Sequence, residues 1–326
     1  MTALADTVGA GVHYNTLIPW RHQPNPANFG SFKYGVISVN RLREDLSHWT
    51  DMFVAGRMQK PVALVGAADP RVAAAAADNI RAALAAALLL LPETFSASQL
   101  HETLCGLSYH GDIRLALLAE DVEKIKRIAA GSRAGLARLY GDAMKELGRG
   151  AVGLQKADAP SGGCTVQADS RQKRHGEMTG AVAGRTTRAA RAVRADATRC
   201  EREDDEEQAE GDGSCGAEWW GQDKGVGARI QLLKHLPGTV LDSMRQRAGV
   251  SLPGSSWGAG ARREELAEAL AKRVGSHEAE LRDVLRRIVR RSSVRQLLST
   301  ALTTSPEKAV QYVASKLMKS VLSRVR

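Results

Sequence analysis

Two short segments combine positively charged side chains with glycine, a combination that suits a phosphate ligand. Lys33 precedes Tyr34 and Gly35 in a predicted strand, and the glycine lets a ligand approach the backbone closely. Arg57 and Lys60 lie three residues apart, between the predicted end of a helix and a strand. Because arginine offers a bidentate fork and lysine a mobile point charge, this pair could bind a triphosphate. Surface cations that interact with a helix C-terminus show the same spacing, so the spacing alone leaves both interpretations open.

A third segment, residues 108–114, places a carboxylate and a guanidinium beside a predicted turn. Asp112 could hold a metal ion or orient a base, and Arg114 could bind a phosphate. An ordinary hairpin turn with an Asp–Arg ion pair accounts for the same two residues. His110 fits a solvated turn histidine better than a catalyst or a ligand.

The N-terminal segment is predicted to form an α/β piece. Residue patterns predict strands over Val12–Ile18, Ser31–Val39 and Pro61–Val65. Asn40 can cap a helix whose apolar positions are spaced by three and four residues, and Gly56 is expected to end it. This piece is too short to bury a full core, so partner strands are expected elsewhere.

The next segment is predicted to be mostly helical. Pro70–Leu91 is rich in alanine and leucine, and Ser96 with Gln99 forms a capping box for a second helix. A hairpin is predicted over Leu107–Leu115, and Ala116–Leu147 is helical and amphipathic in pattern. Two helices followed by a hairpin are the outline of a winged-helix module.

Residues 148–227 differ in character from the rest of the chain. Apart from Trp219 and Trp220 they hold almost no large apolar residues, and an arginine-rich stretch runs into an acidic block. Opposite charge blocks without an apolar period do not offset the entropy of ordering, so a disordered insertion is predicted.

Helices are predicted after the insertion over Arg262–Val274, Glu278–Arg291 and Ser293–Leu302. The last segment, Pro306–Arg326, has an apolar stripe and a basic polar face. Such a helix suits an anionic membrane surface, and a helix that packs on its own domain has the same apolar period.

Composition limits the partners without choosing among them. Lys and Arg outnumber Asp and Glu by 46 to 36, and the resulting charge of +10 favours nucleotides, nucleic acid or acidic lipid surfaces. The longest apolar run lies within Ala82–Leu91 and is shorter than the roughly 20 residues that span a bilayer. No CxxC pair or regular spacing links the cysteines, which predicts a reducing compartment and no structural zinc. The cysteines are Cys105, Cys164, Cys200 and Cys215.

Nine segments occur together in an order that is typical of one protein family. They are Gly9–Ile18, Lys33–Ser38, Asp45–Trp49, Gly56–Val62, Leu91–Ser96, Gly106–Arg114, Leu139–Gly141, Leu236–Pro237 and Ile288–Gln296. The series resembles the mitochondrial translocator assembly and maintenance protein family, whose members are phosphatidate cytidylyltransferases. The resemblance is close over Val8–Leu147 and looser over Ile230–Gln296.

This resemblance implies an enzyme that converts CTP and phosphatidate to CDP-diacylglycerol and pyrophosphate, with Mg²⁺ as cofactor, on the route to cardiolipin. It implies a peripheral protein on the matrix side of the mitochondrial inner membrane. The site residues carried over are Lys33, Arg57 and Lys60 for the CTP phosphates, Tyr109, Asp112 and Arg114 for the wall of the site, and Arg290 and Arg295 for the lipid headgroup.

The expected fold class is α+β, with a partial nucleotidyltransferase α/β sheet. The expected domains are the C-terminal part of a nucleotidyltransferase domain at 1–68, a winged-helix-like helical domain at 69–147, the insertion at 148–227 and a C-terminal helical region with an amphipathic terminal helix at 228–326.

This chain departs from the family pattern at one point. A Gly-Ser-Gly signature and an acidic strand motif precede, in the family, the point where this chain begins, and neither occurs here. Without those groups a metal has no evident cage, and no catalytic residue is assigned. The expectation is that this polypeptide lacks the catalytic N-terminal motifs and has little transferase activity on its own.

Two functions of other classes compete with the enzyme. One is a basic winged-helix protein that binds nucleic acid, which the net charge permits. However, the predicted second helix, Ala97–Leu104, contains no Lys or Arg to contact phosphates, so nucleic acid is not favoured. The other is a non-catalytic remnant that only associates with membranes.

Overall fold

The computed structural model describes eight stretches of the chain: 13–19, 31–67, 69–113, 123–150, 152–158, 218–250, 259–273 and 277–303. Contacts divide the chain into one compact unit of Met1–Ala159 with Ala217–Arg326 and a second unit of Pro160–Gly216. All described residues belong to the first unit.

The fold is α+β, and helices dominate the described residues. The strands are β1 (His13–Pro19), β2 (Ser31–Val36), β3 (Thr94–Ser96), β4 (Gln155–Ala157) and β5 (Trp219–Gly221). The helices are α1 (Val39–His48), α2 (Ala55–Met58), α3 (Pro70–Leu90), α4 (Ala97–Gly106), a 3₁₀ helix (Leu107–Tyr109), α5 (Lys124–Gly131), α6 (Arg133–Gly148), α7 (Val226–His235), α8 (Gly238–Ala248), α9 (Ala259–Lys272) and α10 (His277–Thr303).

The first two predicted strands are confirmed as an antiparallel hairpin. β1 pairs with β2 in a register that sets His13 opposite Val36 and Pro19 opposite Ser31. β2 ends before the predicted Val39 because the next helix already begins there, with the Ser38 side chain accepting the first capping hydrogen bond.

Helix α3 is the centre of the core. Asp69 caps its N-terminus, Pro70 occupies the first turn, and Pro92 follows its end, as expected for a helix of this length. Residues 82–91 are buried, and α3 packs against α1, α4, α6, α7 and α10. By length and composition α3 could cross a membrane, but more than half of its apolar window is buried inside the protein, as in the core helix of a soluble domain.

A three-stranded antiparallel sheet closes the end of α3. β5 lies between β3 and β4 and pairs with both. The Gln222 side-chain amide, directly after β5, donates to the carbonyls of Leu88 and Pro92 at 3.0 and 2.8 Å. Lys224 Nζ donates to the Leu88 carbonyl at 2.8 Å. These bonds satisfy carbonyls that the helix end leaves without an internal partner.

The position of this sheet corrects one expectation. β4 and β5 both lie inside residues 148–227, which composition assigns to a disordered insertion. The ends of that range are therefore part of the folded unit, because Val152 and Leu154 are buried in the core and Trp220 packs against it. Residues 159–217 lie outside the described residues.

Two predicted β elements are wrong where the structure describes them. Pro61–Val65 is not a strand, since no strand pairs with it in the described residues, and Leu64 and Val65 are exposed. The hairpin predicted over Leu107–Leu115 is replaced over residues 107–109 by a 3₁₀ helix that continues from α4. The winged-helix outline is thus not confirmed, and residues 114–122 lie outside the described residues.

Several helices are confirmed, and one prediction of a helix break is wrong. The capping box of Ser96 and Gln99 forms in both directions at the start of α4. The break predicted between Arg291 and Ser293 does not exist, because α10 runs without interruption and buries Ser292 and Ser293. Residues 306–326 lie outside the described residues.

Candidate functional site

Two lysines lie against the Tyr109 ring, and a third cation, Arg57, lies nearby against the Phe53 ring. Lys60 Nζ lies 5.5 Å and Lys124 Nζ 5.2 Å from the centre of the Tyr109 ring. The Arg57 guanidinium stacks 4.7 Å from the Phe53 ring. Arg57, Lys60 and Lys124 are called the cation cluster below. Aromatic faces attract cations, so these two rings hold positive charges that would otherwise repel each other.

Lys60 is the most constrained member of the cation cluster. Its Nζ donates to the Gly56 carbonyl at 2.6 Å and to Ser108 Oγ at 3.1 Å. Burial lowers the pKa of Lys60 to about 8, the nearby Cys105 opposes this shift, and the positive charges of Arg57 and Lys124 add to it. An anion bound beside Lys60 would restore the pKa, because it would favour the charged amine.

Gly56 allows α2 to approach the 3₁₀ helix closely enough for these contacts. A Cβ at Gly56 would lie 2.2 Å from the Ser108 Cβ, closer than real carbon atoms approach. Any other residue would therefore push α2 away from Ser108 and take the Lys60 amine with it. The glycine of this segment has a packing role, whereas the sequence predicted only that it ends a helix.

A buried polar network holds α2 and the residue after it, Gln59, against helices α3 and α6. Asn79, on α3, accepts hydrogen bonds at Oδ1 from Trp49 Nε1 at 2.8 Å and from Gln59 Nε2 at 3.0 Å. Its own amide donates to the Ala55 carbonyl at 3.1 Å. The Tyr140 hydroxyl, on α6, donates to the Gln59 carbonyl at 2.9 Å. This network fixes the backbone on both sides of Arg57.

Asp45 fixes the loop that leads into α2, which is called the Asp45 loop (residues 49–55) below. Its Oδ1 accepts the backbone N–H of Asp51 and Met52 at 2.9 and 2.8 Å, and its Oδ2 accepts those of Val54 and Ala55 at 2.8 and 3.0 Å. Trp49 and Met52 have φ angles of 52° and 49°, which cost energy in non-glycine residues. Four charge-assisted hydrogen bonds stabilise this strained loop.

Asp112 and Tyr109 lie in one turn, as the sequence predicts, but the turn also packs on α10. Asp112 is buried, and its N–H donates to the Tyr109 carbonyl at 3.2 Å. Gly111 has a φ of 75°, and a Cβ there would meet Arg286 Cγ at 2.5 Å. His110 is partly buried rather than solvated, and burial followed by the charges of Arg282 and Arg286 lowers its pKa.

Two of the predicted site residues cannot be placed at the level of side chains. Lys33 lies within β2, where the structure describes the strand but not the side chain. Arg114 lies outside the described residues. The structure thus brings together Arg57, Lys60 and Tyr109 and adds Lys124, which the sequence did not single out.

The two arginines predicted for the lipid headgroup do not share a face of α10. Arg295 follows Arg290 by five positions in the helix, which corresponds to about 140° around the axis. Arg290 is exposed, whereas Arg295 Nη1 binds Asp51 Oδ1 at 2.7 Å. Arg295 shares a pocket with Arg291 instead.

The described residues do not fit a Mg²⁺ site. They contain no group of three or more His, Cys, Asp or Glu side chains that could hold a metal ion. Both oxygens of Asp45 are occupied by backbone N–H groups, and both oxygens of Asp51 by Arg41 and Arg295. These carboxylates organise the protein rather than a metal.

The fold and site together define an α+β protein in which Arg57, Lys60 and Lys124 form a partly exposed cation cluster beside two aromatic rings. A sequence profile of the family described as "Phosphatidate cytidylyltransferase, mitochondrial" matches residues 1–319. The chain belongs to this family, and the resemblance inferred from the nine segments is confirmed.

Curated relatives from animals match part of the chain. Proteins named "Phosphatidate cytidylyltransferase, mitochondrial" from Bos taurus and Homo sapiens are each 40% identical over 147 residues, or 45% of this chain. These matches cover 42% of the bovine and 31% of the human protein. The Drosophila melanogaster protein of that name is 40% identical over 144 residues, which are 44% of this chain and 40% of that protein. The chain thus spans less than half the length of these relatives.

Proposed function

We propose that this chain carries the CTP-phosphate site of a phosphatidate cytidylyltransferase. In the proposed reaction a phosphate oxygen of phosphatidate attacks the α-phosphorus of CTP. The bond between the α-phosphorus and the α,β-bridging oxygen breaks, pyrophosphate leaves, and CDP-diacylglycerol forms. Membership of the family and the names of the relatives support this activity.

The cation cluster is the observation that carries the proposal. Lys60 is held against the Ser108 hydroxyl with Arg57 and Lys124 close enough to lower its pKa, so like charges have been brought together at an energetic cost. A bound polyphosphate would remove that cost, and the charge that develops on leaving pyrophosphate is stabilised by the same groups. Tyr109 forms a wall of this site through its ring.

Other parts of the proposal rest on the family alone. Lys33 and Arg114 are proposed as further phosphate ligands and Asp112 as part of the wall, and Mg²⁺ is proposed as the cofactor. The location is proposed to be the matrix side of the mitochondrial inner membrane, on the route to cardiolipin. Contact with anionic lipids is proposed through residues 306–326.

The test is CTP binding by variants that each lose one positive charge. Lys60→Gln and Lys124→Gln are expected to weaken CTP binding, measured by titration calorimetry, by about tenfold each, since each removes a charge-assisted contact to phosphate. CMP, which lacks the β- and γ-phosphates, should lose less affinity than CTP.

Lys126→Gln is the matched control on the same helix. Lys126 lies two residues from Lys124, is exposed, and pairs with Glu123 at 3.3 Å. It should bind CTP like the unaltered chain. Equal CTP affinity in all the variants, or no saturable binding by the unaltered chain, would count against the proposal.

A nucleic-acid-binding function receives less support. The helix α4 contains no Lys or Arg, and the described part of the predicted hairpin does not form, so the described residues offer neither a basic second helix nor a wing. Salt-sensitive binding of duplex DNA in place of CTP would favour that function. Binding of anionic vesicles without CTP binding would favour the membrane-associating remnant.

A further inference from the structure

A polar pocket of about 340 Å³ lies between α1, the Asp45 loop, α8 and α10. The Thr239 hydroxyl, on α8, donates a hydrogen bond to the His48 carbonyl and so fixes α8 against the end of α1. The pocket is called the arginine pocket below, after its charged lining. That lining is Arg41, Asp51, Arg291 and Arg295.

Asp51 holds two guanidinium groups at the wall of the arginine pocket. Arg41 Nη2 lies 2.9 Å from Asp51 Oδ2, and Arg295 Nη1 lies 2.7 Å from Asp51 Oδ1. Glu44 binds the other terminal nitrogen of Arg41 at 2.7 Å. Two guanidinium groups that reach one carboxylate also reach one small anion of similar size, and each arginine has several N–H groups to share.

Arg291 adds a positive charge that the described ion pairs do not balance. It precedes Arg295 by four residues and therefore lies on the same face of α10, one turn away. Within the described part of the chain, Arg291 forms no ion pair. Arg41 and Arg295 are paired with the carboxylates of Asp51 and Glu44, whereas Arg291 lines the same pocket without a carboxylate partner among the described residues.

We propose that the arginine pocket binds the terminal phosphate of a phosphomonoester. A phosphomonoester carries close to two negative charges and three terminal oxygens, which suit several guanidinium forks better than a diester with one charge and two free oxygens. Phosphatidate and free phosphate share this group. The identification with the second substrate rests on the proposed function.

The Asp45 loop places the arginine pocket within reach of the cation cluster. Asp51 lines the pocket and Arg57 belongs to the cluster, and Arg57 follows Asp51 by six positions along the chain. Six residues span at most about 20 Å, and the loop is folded back by its hydrogen bonds to Asp45. One rigid loop therefore connects two anion sites, as a reaction between two phosphate-bearing substrates requires.

The test compares Arg291→Gln with Arg290→Gln. Both remove one exposed positive charge from α10, but only Arg291 lines the arginine pocket. Co-sedimentation would be measured with phosphatidylcholine vesicles that contain either phosphatidate or phosphatidylglycerol, adjusted to equal surface charge. A second arm titrates inorganic phosphate and glycerol 3-phosphate by calorimetry.

The unaltered chain and Arg290→Gln are expected to prefer phosphatidate vesicles, and Arg291→Gln is expected to lose about tenfold in that preference. The chain could instead bind inorganic phosphate or glycerol 3-phosphate but show no preference for phosphatidate vesicles. If Arg291→Gln weakens that binding and Arg290→Gln does not, the pocket is supported and its ligand is a free phosphomonoester. Equal losses in both variants, or no binding in either arm, would overturn the proposal. Because Arg291→Gln should bind CTP normally, a failure of the CTP site would be recognised separately.

Discussion

At the scale of residues, Lys60 lies in surroundings that disfavour its positive charge, and this property suits it to an anionic ligand. Its amine is buried, hydrogen-bonded to Ser108, and close enough to Arg57 and Lys124 for its pKa to fall to about 8. A lysine chosen for stability alone would be exposed or paired with a carboxylate. Because a nearby anion would stabilise the charged amine, this environment links Lys60 to a phosphate ligand.

The pKa of Lys60 predicts how nucleotide binding depends on pH. In the free protein the amine is charged below pH 8 and loses its proton as the pH rises through this value. A bound phosphate raises the pKa of the amine, so the amine stays charged in the complex. Affinity for CTP is therefore expected to be highest below pH 8 and to fall by about tenfold between pH 7 and 9.5. Titration calorimetry over this range measures it.

Lys60→Arg is the comparison that isolates this residue. Arginine stays charged throughout the range, so the affinity of this variant should change little with pH. If the variant and the unaltered chain lose affinity in parallel, the titrating group is not Lys60.

The sequence could predict part of this site at the scale of residues. Arg57 and Lys60 were predicted through the family resemblance of the short segment that holds both, since their spacing alone left the surface-cation interpretation open. Lys124 was not, since it is one of several cations in a long amphipathic stretch, and only the fold brings it to Tyr109. Arg291 was missed because Arg290 and Arg295 were taken from the family motif, in which position 291 is not fixed, and only the fold shows that Arg291 lines the pocket.

At the scale of elements, the Asp45 loop is the most informative segment. Its two residues with positive φ are neither glycine nor asparagine, and the buried carboxylate of Asp45 accepts four backbone N–H groups that the strained path leaves free. The loop carries Asp51 into the arginine pocket and ends at α2, where the cation cluster begins. A local anchor thus positions residues in both sites.

Asp45→Asn is expected to destabilise the protein by about 3 kcal/mol. The new side-chain amide keeps one acceptor oxygen, but its NH₂ group points a donor towards two of the backbone N–H groups. The remaining hydrogen bonds are no longer assisted by a negative charge. Urea unfolding followed by circular dichroism measures the loss.

Asp242→Asn makes the same chemical change on α8. The Asp242 side chain is 47% exposed and lies 3.7 Å from Arg245, so the unfolding free energy should change by no more than about 0.5 kcal/mol. A similarly small effect of Asp45→Asn would mean that the loop keeps its path without the carboxylate.

Elements with local signals were predicted better than elements that need a distant partner. The capping box of α4 and the proline at the start of α3 lie next to the helices they begin, and both were confirmed. Pro61–Val65 has the pattern of a strand, but a strand forms only when another strand pairs with it. The pairing of β5 with β3 and β4 joins residues more than a hundred positions apart along the chain for β3 and more than sixty for β4, which no local pattern reveals.

At the scale of the whole molecule, α3 supports every part of the described unit that positions the two sites. It packs against α1 and α2, which carry the Asp45 loop between them, and against α10, which supplies Arg291 and Arg295. The Leu88 carbonyl near its C-terminus accepts hydrogen bonds from Gln222 and Lys224, which follow shortly after β5. Folding of the sites therefore requires the chain to return to α3 after residues 159–217.

The sheet predicts that residues 159–217 can be removed without loss of the fold. β4 and β5 are adjacent antiparallel strands, with Ala157 opposite Trp219, so the two ends of this range already meet. An Asn-Gly turn between Asp158 and Glu218 would join them as a hairpin. The free energy of unfolding should stay the same or rise by up to about 2 kcal/mol, because a shorter connection costs less entropy to close.

Urea unfolding and CTP titration of the shortened chain would measure this, and a variant that also lacks Gln155–Ala157 is the control. Removing β4 takes a partner from β5 and should lower stability, although both variants lose nearly the same stretch of chain. If the shortened chain with β4 intact also fails to fold or to bind CTP, residues 159–217 contribute directly to the core or to the site, and the sheet alone does not bring the chain back to α3.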